Sequence, residues 1–191
     1  AASAGDADST PAKGYVVHLG DAANALGEMY RTGTGVPQSA KKAAEFYEKG
    51  AEAGDAHAQH NFAMSHFRKQ NYRAAKVWFD KAASQGDPQS RMLLGVMYDD
   101  GIGMPQNLTK ALEWYEKAAA PGQFLGLPHK GLATAQVRLG QMALHGVAVP
   151  QSHTKAIHWC ETAAAQNDSD AQRMLGALYS GGDVGVERDF E

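Results

Sequence analysis

Leu26-Gly27-Glu28-Met29-Tyr30-Arg31-Thr32-Gly33 returns further along the same chain as Leu94-Gly95-Val96-Met97-Tyr98-Asp99-Asp100-Gly101. The shared pattern is LGxMYxxG. Leu139-Gly140 opens another copy, with Met142 and Gly146 in register. Leu175-Gly176 opens one more, with Leu178, Tyr179 and Gly182. Phe62-Ala63 is a divergent copy with His66 at the tyrosine place. A second pattern follows: Lys42-Ala43 then Phe46-Tyr47-Glu48-Lys49, Ala75 then Trp78-Phe79-Asp80-Lys81, Lys110-Ala111 then Trp114-Tyr115-Glu116-Lys117, and Lys155-Ala156 then Trp159-Cys160-Glu161-Thr162. The period is about 36 residues, a length at which stacked repeats are built. The second unit is shortened at its turn, and the third carries about nine residues more than that period.

Each unit reads as two helices. Ala22, Leu26, Met29 and Tyr30 fall on one helical face. A glycine inside that helix costs up to ~1 kcal/mol, so Gly27 and its small equivalents Ala63, Gly95, Gly140 and Gly176 imply a closely packed neighbour. Gly33 suits a left-handed C-cap. Ser39, Asn71, Asn107 and Ser152 stand where a second helix needs its N-cap. The second helix then buries Ala43, Phe46, Tyr47 and Gly50, or Ala111, Trp114, Tyr115 and Ala118. The spacing predicts first helices near 20–32, 55–68, 88–99, 132–144 and 169–179, and second helices near 40–52, 72–84, 108–119 and 153–165. One such pair cannot bury its own apolar faces, so the pairs must stack. The expected fold is an all-α superhelical solenoid of about five helix–turn–helix repeats, near 18–54, 55–86, 87–130, 131–166 and 167–191, with no β-sheet. Residues 1–13, small and polar, read as disordered, and Asp189 stands at the place of a fifth cap.

The stretches LGEMYRTGTGVPQS, LGVMYDDGIGMPQN, KALEWYEKAAAPG and KVWFDKAASQGD resemble the Sel-1-like repeat family, a relative of the tetratricopeptide repeat. The resemblance covers roughly residues 18–189. It implies a right-handed superhelix that serves as adaptor, receptor or assembly factor. Many bacterial members are exported; some act in envelope signalling or assembly, and some are immunity proteins that neutralise secreted toxins. The chain opens Ala1-Ala2-Ser3-Ala4-Gly5, which suits a mature N-terminus after export. The expectation is a periplasmic or otherwise exported protein, with the cytoplasm as the alternative.

Composition narrows the function classes. The net charge of −3 offers no basic field for nucleic acid. No apolar run approaches the ~20 residues that span a bilayer. Cys160 is the single cysteine, so no intrachain disulfide forms. No catalytic residue, cofactor or metal site is expected. Gly33-x-Gly35 and Gly101-x-Gly103 lack the third glycine and preceding strand of a phosphate loop, and read as turns. His57 and His60 share a helix, but zinc needs three or four ligands, and His66 points elsewhere. Cys160 and the repeating Trp78, Trp114 and Trp159 read as core. Asn107-Leu108-Thr109 fits a glycosylation sequon, but Asn107 is already explained as a cap.

The expected activity is therefore protein binding without catalysis, with an enzyme or metal-dependent catalyst as the alternative class. In the related tetratricopeptide fold the groove is lined by exposed first-helix positions. By the Leu-Gly register these are Asn24, Glu28 and Arg31, then His57, His60, Met64, Phe67 and Arg68. Met92, Val96, Asp99 and Asp100 follow, and Gln141, His145 and Arg173 complete the strip. Its middle is the most apolar, so Met64, Phe67 and Met92 are the expected anchors. The insertion at 120–131 has two prolines and three glycines and cannot be a regular helix. Two readings stand for its apolar residues. Phe124, Leu125 and Leu127 cover the joint between repeats three and four, or Phe124 and Leu125 stand at the groove edge and enter a partner.

Overall fold

The computed structural model describes residues 13–180, with side chains from Leu19 onward. The expectations for residues 1–12 and for Asp189 lie outside the described residues. Helices run in pairs: α1 (Lys13–Thr32) and α2 (Ala40–Glu52), α3 (Ala56–Arg68) and α4 (Tyr72–Ser84), α5 (Pro88–Asp100) and α6 (Leu108–Ala119). A short hairpin of β1 (Gly122–Phe124) and β2 (Leu127–His129) precedes α7 (Ala133–His145) and α8 (His153–Ala164), and α9 (Ser169–Ser180) begins a fifth unit. The first helix corrects the expected start at 20. It begins at Lys13, so α1 outruns the other first helices at its N-terminal end.

The second helices start where their caps predict. The side chains of Ser39, Asn107 and Ser152 accept from the backbone N–H three residues on. Asn71 is the exception: it stands at the cap position, but its side chain makes no cap bond. Gly101 and Gly146 end α5 and α7 in the left-handed region, at φ 69 each, as the C-cap reading requires.

Each second helix lies between its own first helix and the next. α2 presents Ala43, Tyr47 and Ala51 to Ala58 and Phe62 of α3. α4 presents Ala75, Phe79 and Ala83 to Leu94 and Met97 of α5. α6 presents Ala111, Tyr115 and Ala119 to Ala135, Leu139 and Met142 of α7. Against their own first helices the aromatic rings press on backbone. A Cβ on Gly27 would stand 2.5 Å from the Tyr47 ring, and one on Gly95 the same from Tyr115. That approach explains the glycine inside the helix. Trp78 and Trp114 are half-buried rather than fully core: one side packs on the core while a lysine covers the ring, Lys81 at 3.7 Å and Lys117 at 4.4 Å. Trp159 is half-buried too, against the α6–α7 core.

The insertion corrects the expectation of no β-sheet. Residues 122–129 form an antiparallel hairpin in the register Gly122↔His129, Gln123↔Pro128 and Phe124↔Leu127. Leu125 and Gly126 both have positive φ, 50 and 77, which is how a two-residue turn matches the twist of its strands.

Candidate functional site

The first helices line one face of the solenoid and are stitched across their joints by polar side chains. At the first joint the Tyr47 hydroxyl donates to Glu28, and Arg31, one turn along α1, donates to the same carboxylate at 2.6 Å. Asn61 of α3 reaches back to Asn24 at 2.9 Å and to Glu28 at 3.4 Å. The Arg31 guanidinium holds the Glu28 carboxyl below its usual range, against partial burial and with help from the Tyr47 hydroxyl. Burial and that carboxylate push the Tyr47 phenol up.

Repeats three and four solve the same problem with different residues. The Tyr115 hydroxyl donates to Asp99 at 2.9 Å. Arg138 of α7 donates to Asp99 from Nε at 2.9 Å and to Gln141 at 3.1 Å. Asp99, expected at the groove surface, is only 5% exposed. The Tyr115 ring and the Arg138 guanidinium close over it, so its carboxylate serves the joint.

Between these clusters sits a Ser–His–Asp group. His60 Nδ1 lies 2.9 Å from Ser90 Oγ and 3.2 Å from the Asp87 carboxylate. A nucleophilic triad needs its serine and its acid on opposite ring nitrogens. Here both meet Nδ1, and Ser90 is fully buried. The group joins repeat two to repeat three. Burial would raise the Asp87 carboxyl, but the hydrogen bonds from His60 and Ser90 outweigh it and hold it low.

The other predicted residues divide by exposure. Arg31, His57, Arg68, Asp100, His145 and Arg173 are exposed. Arg173 is paired with Asp170 at 2.8 Å. Met64 and Phe67 are half-buried against the α4–α5 core, with the Phe67 ring edge-on to Tyr72 and Phe79. That corrects the expectation that Phe67 faces solvent. Val96 likewise packs on the α6–α7 core. Met92 also touches that core, and it lines a cavity of about 200 Å³ with Thr134, Val137, Arg138, Gln141, Asp168 and Asp170. Cys160 is buried, and burial pushes its thiol up to about 11, which leaves it inert.

The hairpin does not cover the joint it grows from. Phe124 meets His57 of α3 edge-on at 5.0 Å, and Gln123 and Phe124 lie over Gly86 in the α4–α5 turn. Leu125, 54% exposed, lines a cavity of about 350 Å³ with Asp21, Gly54 and Asp55 at the first joint. The insertion thus runs back across repeat three. Leu127 stays 71% exposed.

Sequence reasoning missed the polar stitches. Asn61 and Arg138 share one register position, the residue before the Leu-Gly mark. Gln59 and Gln136 share another and are buried. Each donates to the last-turn carbonyl of the preceding second helix, Ala51 or Ala119, and accepts from Gln85 or Gln166. Arg91, at the same position, donates to Ala83. The available signal was a long amide or cationic side chain recurring in register on a helix face.

The Sel1 repeat model matches residues 20–55, 58–87, 88–122, 133–168 and 169–191. The chain belongs to the Sel1 repeat family. A Sel1 repeat protein from Oxalobacter formigenes superposes with a TM-score of 0.75 at 30% identity, over 85% of this chain and 62% of that one. A protective antigen of uropathogenic Escherichia coli strains with the same fold superposes at 0.77 and 29% identity, over 87% of this chain and 35% of that one. The chitin synthase regulator SKT5 of Saccharomyces cerevisiae is 32% identical over 105 residues, 51% of this chain. The chain spans 9% to 15% of the length of three curated relatives it matches. Sel1 repeats are protein-interaction scaffolds rather than a catalytic fold. Among the described residues no helix is long and apolar enough to cross a membrane.

Proposed function

We propose that this Sel1 repeat chain is a non-catalytic scaffold that binds a partner protein on the face formed by its first helices. The observation that supports it most is the cavity between α5, α7 and α9. Met92 and Val137 give it an apolar floor, and Thr134, Gln141 and Asp170 give it a polar rim. An anchor side chain on an extended or helical segment fits such a site. Arg31, Arg68 and Asp100, exposed on α1, α3 and α5, add charges of both signs along the first helices.

The test is capture by the immobilised full chain, compared with a variant carrying Thr134→Arg. Thr134 is exposed, so the variant folds, and a captured partner should bind it at least about tenfold more weakly. Unchanged affinity removes this cavity as the site. The identity of the captured protein tests the finer reading, that the chain is a periplasmic immunity protein. A secreted toxin supports that role, and an envelope regulator supports an adaptor role instead.

A further inference from the structure

One packing geometry occurs at three successive joints. A second helix lays an Ala-x3-Tyr/Phe-x3-Ala stripe across the next first helix and covers the residue at the Leu-Gly mark. Phe62, Leu94 and Leu139 are 8%, 0% and 3% exposed in this way. Leu26 holds the same place in α1 and is 38% exposed, and Leu19, two turns earlier, is 64% exposed. With Ala22, Ala23 and Phe46 they line an apolar groove of about 460 Å³ at the α1–α2 end, edged by Lys49.

The chain's interior defines what such a groove accepts: a helix with small, aromatic and small residues at four-residue spacing. Two features of α1 say that this helix is not tethered like the others. At the joints into α3 and α5 the chain turns, and Asp55 or Asp87 caps the first helix. At the joint into α7 Leu132 holds that position without a side-chain cap, and Gly131, at φ 81, makes the turn. Leu19 holds it in α1, where the helix instead runs on to Lys13 through the place a connecting turn would have to lie. Three of the four interior joints are also clasped, by Gln59, Arg91 and Gln136, which donate to the preceding helix's last carbonyls. Ala23 stands at that position in α1. The groove keeps the apolar template without the turn or the clasp. That combination suits a helix that arrives from another polypeptide. A second copy offers no free stripe of this kind, because those of α2, α4 and α6 are buried in its own joints.

We infer that the α1–α2 end docks an amphipathic helix of a partner protein bearing a small–aromatic–small stripe, seated as α6 is seated on α7. The inference rests on the scaffold reading but uses a different surface. The probe is a labelled, hydrocarbon-stapled peptide of residues 107–120, titrated against the full chain by fluorescence anisotropy. Saturable binding is expected, weakened at least about tenfold by Leu26→Asp or by Leu19→Asp in the chain, and by Tyr115→Ser in the peptide. Both leucines are already exposed, so these variants fold, and circular dichroism checks it. The Thr134→Arg chain should bind the peptide as the parent does, which separates this groove from the first-helix cavity. No binding, or equal affinity for the parent and the leucine variants, overturns the inference. Self-association that Leu26→Asp abolishes, without peptide binding, overturns it too and assigns the surface to a second copy.

Discussion

The joint between repeats one and two and the joint between repeats three and four place the same tyrosine in the same pocket and satisfy its hydroxyl differently. Tyr47 donates to Glu28, whose cationic partner Arg31 is on the same helix and exposed. Tyr115 donates to Asp99, one turn further along its first helix in register. The cation there, Arg138, comes from the next repeat and encloses the carboxylate. A buried phenol needs an acceptor, but the repeat dictates only where the ring goes. The acid sits on either turn, and the turn chosen decides whether the ion pair stays local or locks two repeats. The first joint is therefore expected to tolerate change, and the second to resist it.

The largest expected difference follows from removing the acids. Asp99→Ala strands a half-buried guanidinium and a buried phenol and should cost about 2–3 kcal/mol in urea unfolding. Glu28→Ala leaves Arg31 in solvent but also takes the acceptor from the Tyr47 hydroxyl, so it should cost about 1–2 kcal/mol, less than Asp99→Ala because no cation is stranded. Equal losses would erase the distinction between a local and a cross-repeat pair. Removing the donors tests the same contrast more gently. Tyr115→Phe deletes one bond to an enclosed carboxylate, at about 1–2 kcal/mol, and Tyr47→Phe should lose about half of that because Glu28 is partly solvated.

A smaller effect reads the first joint by pH. Arg31 and Tyr47 depress the Glu28 carboxyl in the folded state. Its stabilisation is complete above the unfolded-state value of about 4.3 and is lost as pH falls through the lower folded value. With screening, a few tenths of a kcal/mol are involved. Unfolding curves between pH 6 and 3 should show that increment in the parent and not in Glu28→Gln, and 0.5 M salt, roughly a 4 Å screening length, should shrink it. An increment that persists in Glu28→Gln would assign it elsewhere, Asp87 first.

What was legible in the sequence was whatever recurs. The Leu-Gly mark, the capping residues Ser39, Asn107 and Ser152 and the turn glycines act locally, so α2 and α6 fall at the predicted bounds and α8 within one residue of them; α4 does so too, though Asn71 makes no cap bond. The start of α1 was not legible: Leu19 stands where Asp55 and Asp87 cap α3 and α5, and α7 stops at a leucine in that place, Leu132, only because Gly131 turns the chain just before it. The hairpin was hidden for the same kind of reason. Its strands are three residues each, and its Leu-Gly turn is a weak signal beside Asn-Gly. Within the candidate site, exposed Arg31, Arg68 and Asp100 lie where the register puts them. Asp99 and Phe67 do not, since their burial depends on Arg138 and Phe79, partners that no spacing on their own helix reveals.

The hairpin ties the two compared joints together, and its loss is expected to have little effect on stability. It leaves the chain at the joint between repeats three and four, sets Phe124 against His57 and places Leu125 over Gly54 and Asp55. Phe124 is half-buried and Leu125 is 54% exposed, so little apolar area leaves water. Replacing both with serine should cost no more than about 1 kcal/mol, a fall in Tm of about 2–4 °C. Pro128 takes one outward-facing backbone donor from the second strand's free edge, which discourages pairing with a partner strand. Side chains, not backbone, are thus what the tip offers. If Phe124 and Leu125 contact the partner, the double variant loses capture at a nearly unchanged Tm. If the strap only holds repeat two against repeat three, capture survives at low temperature. In that case Tm falls beyond this range, and amide exchange at the start of α3, where His57 sits, speeds up.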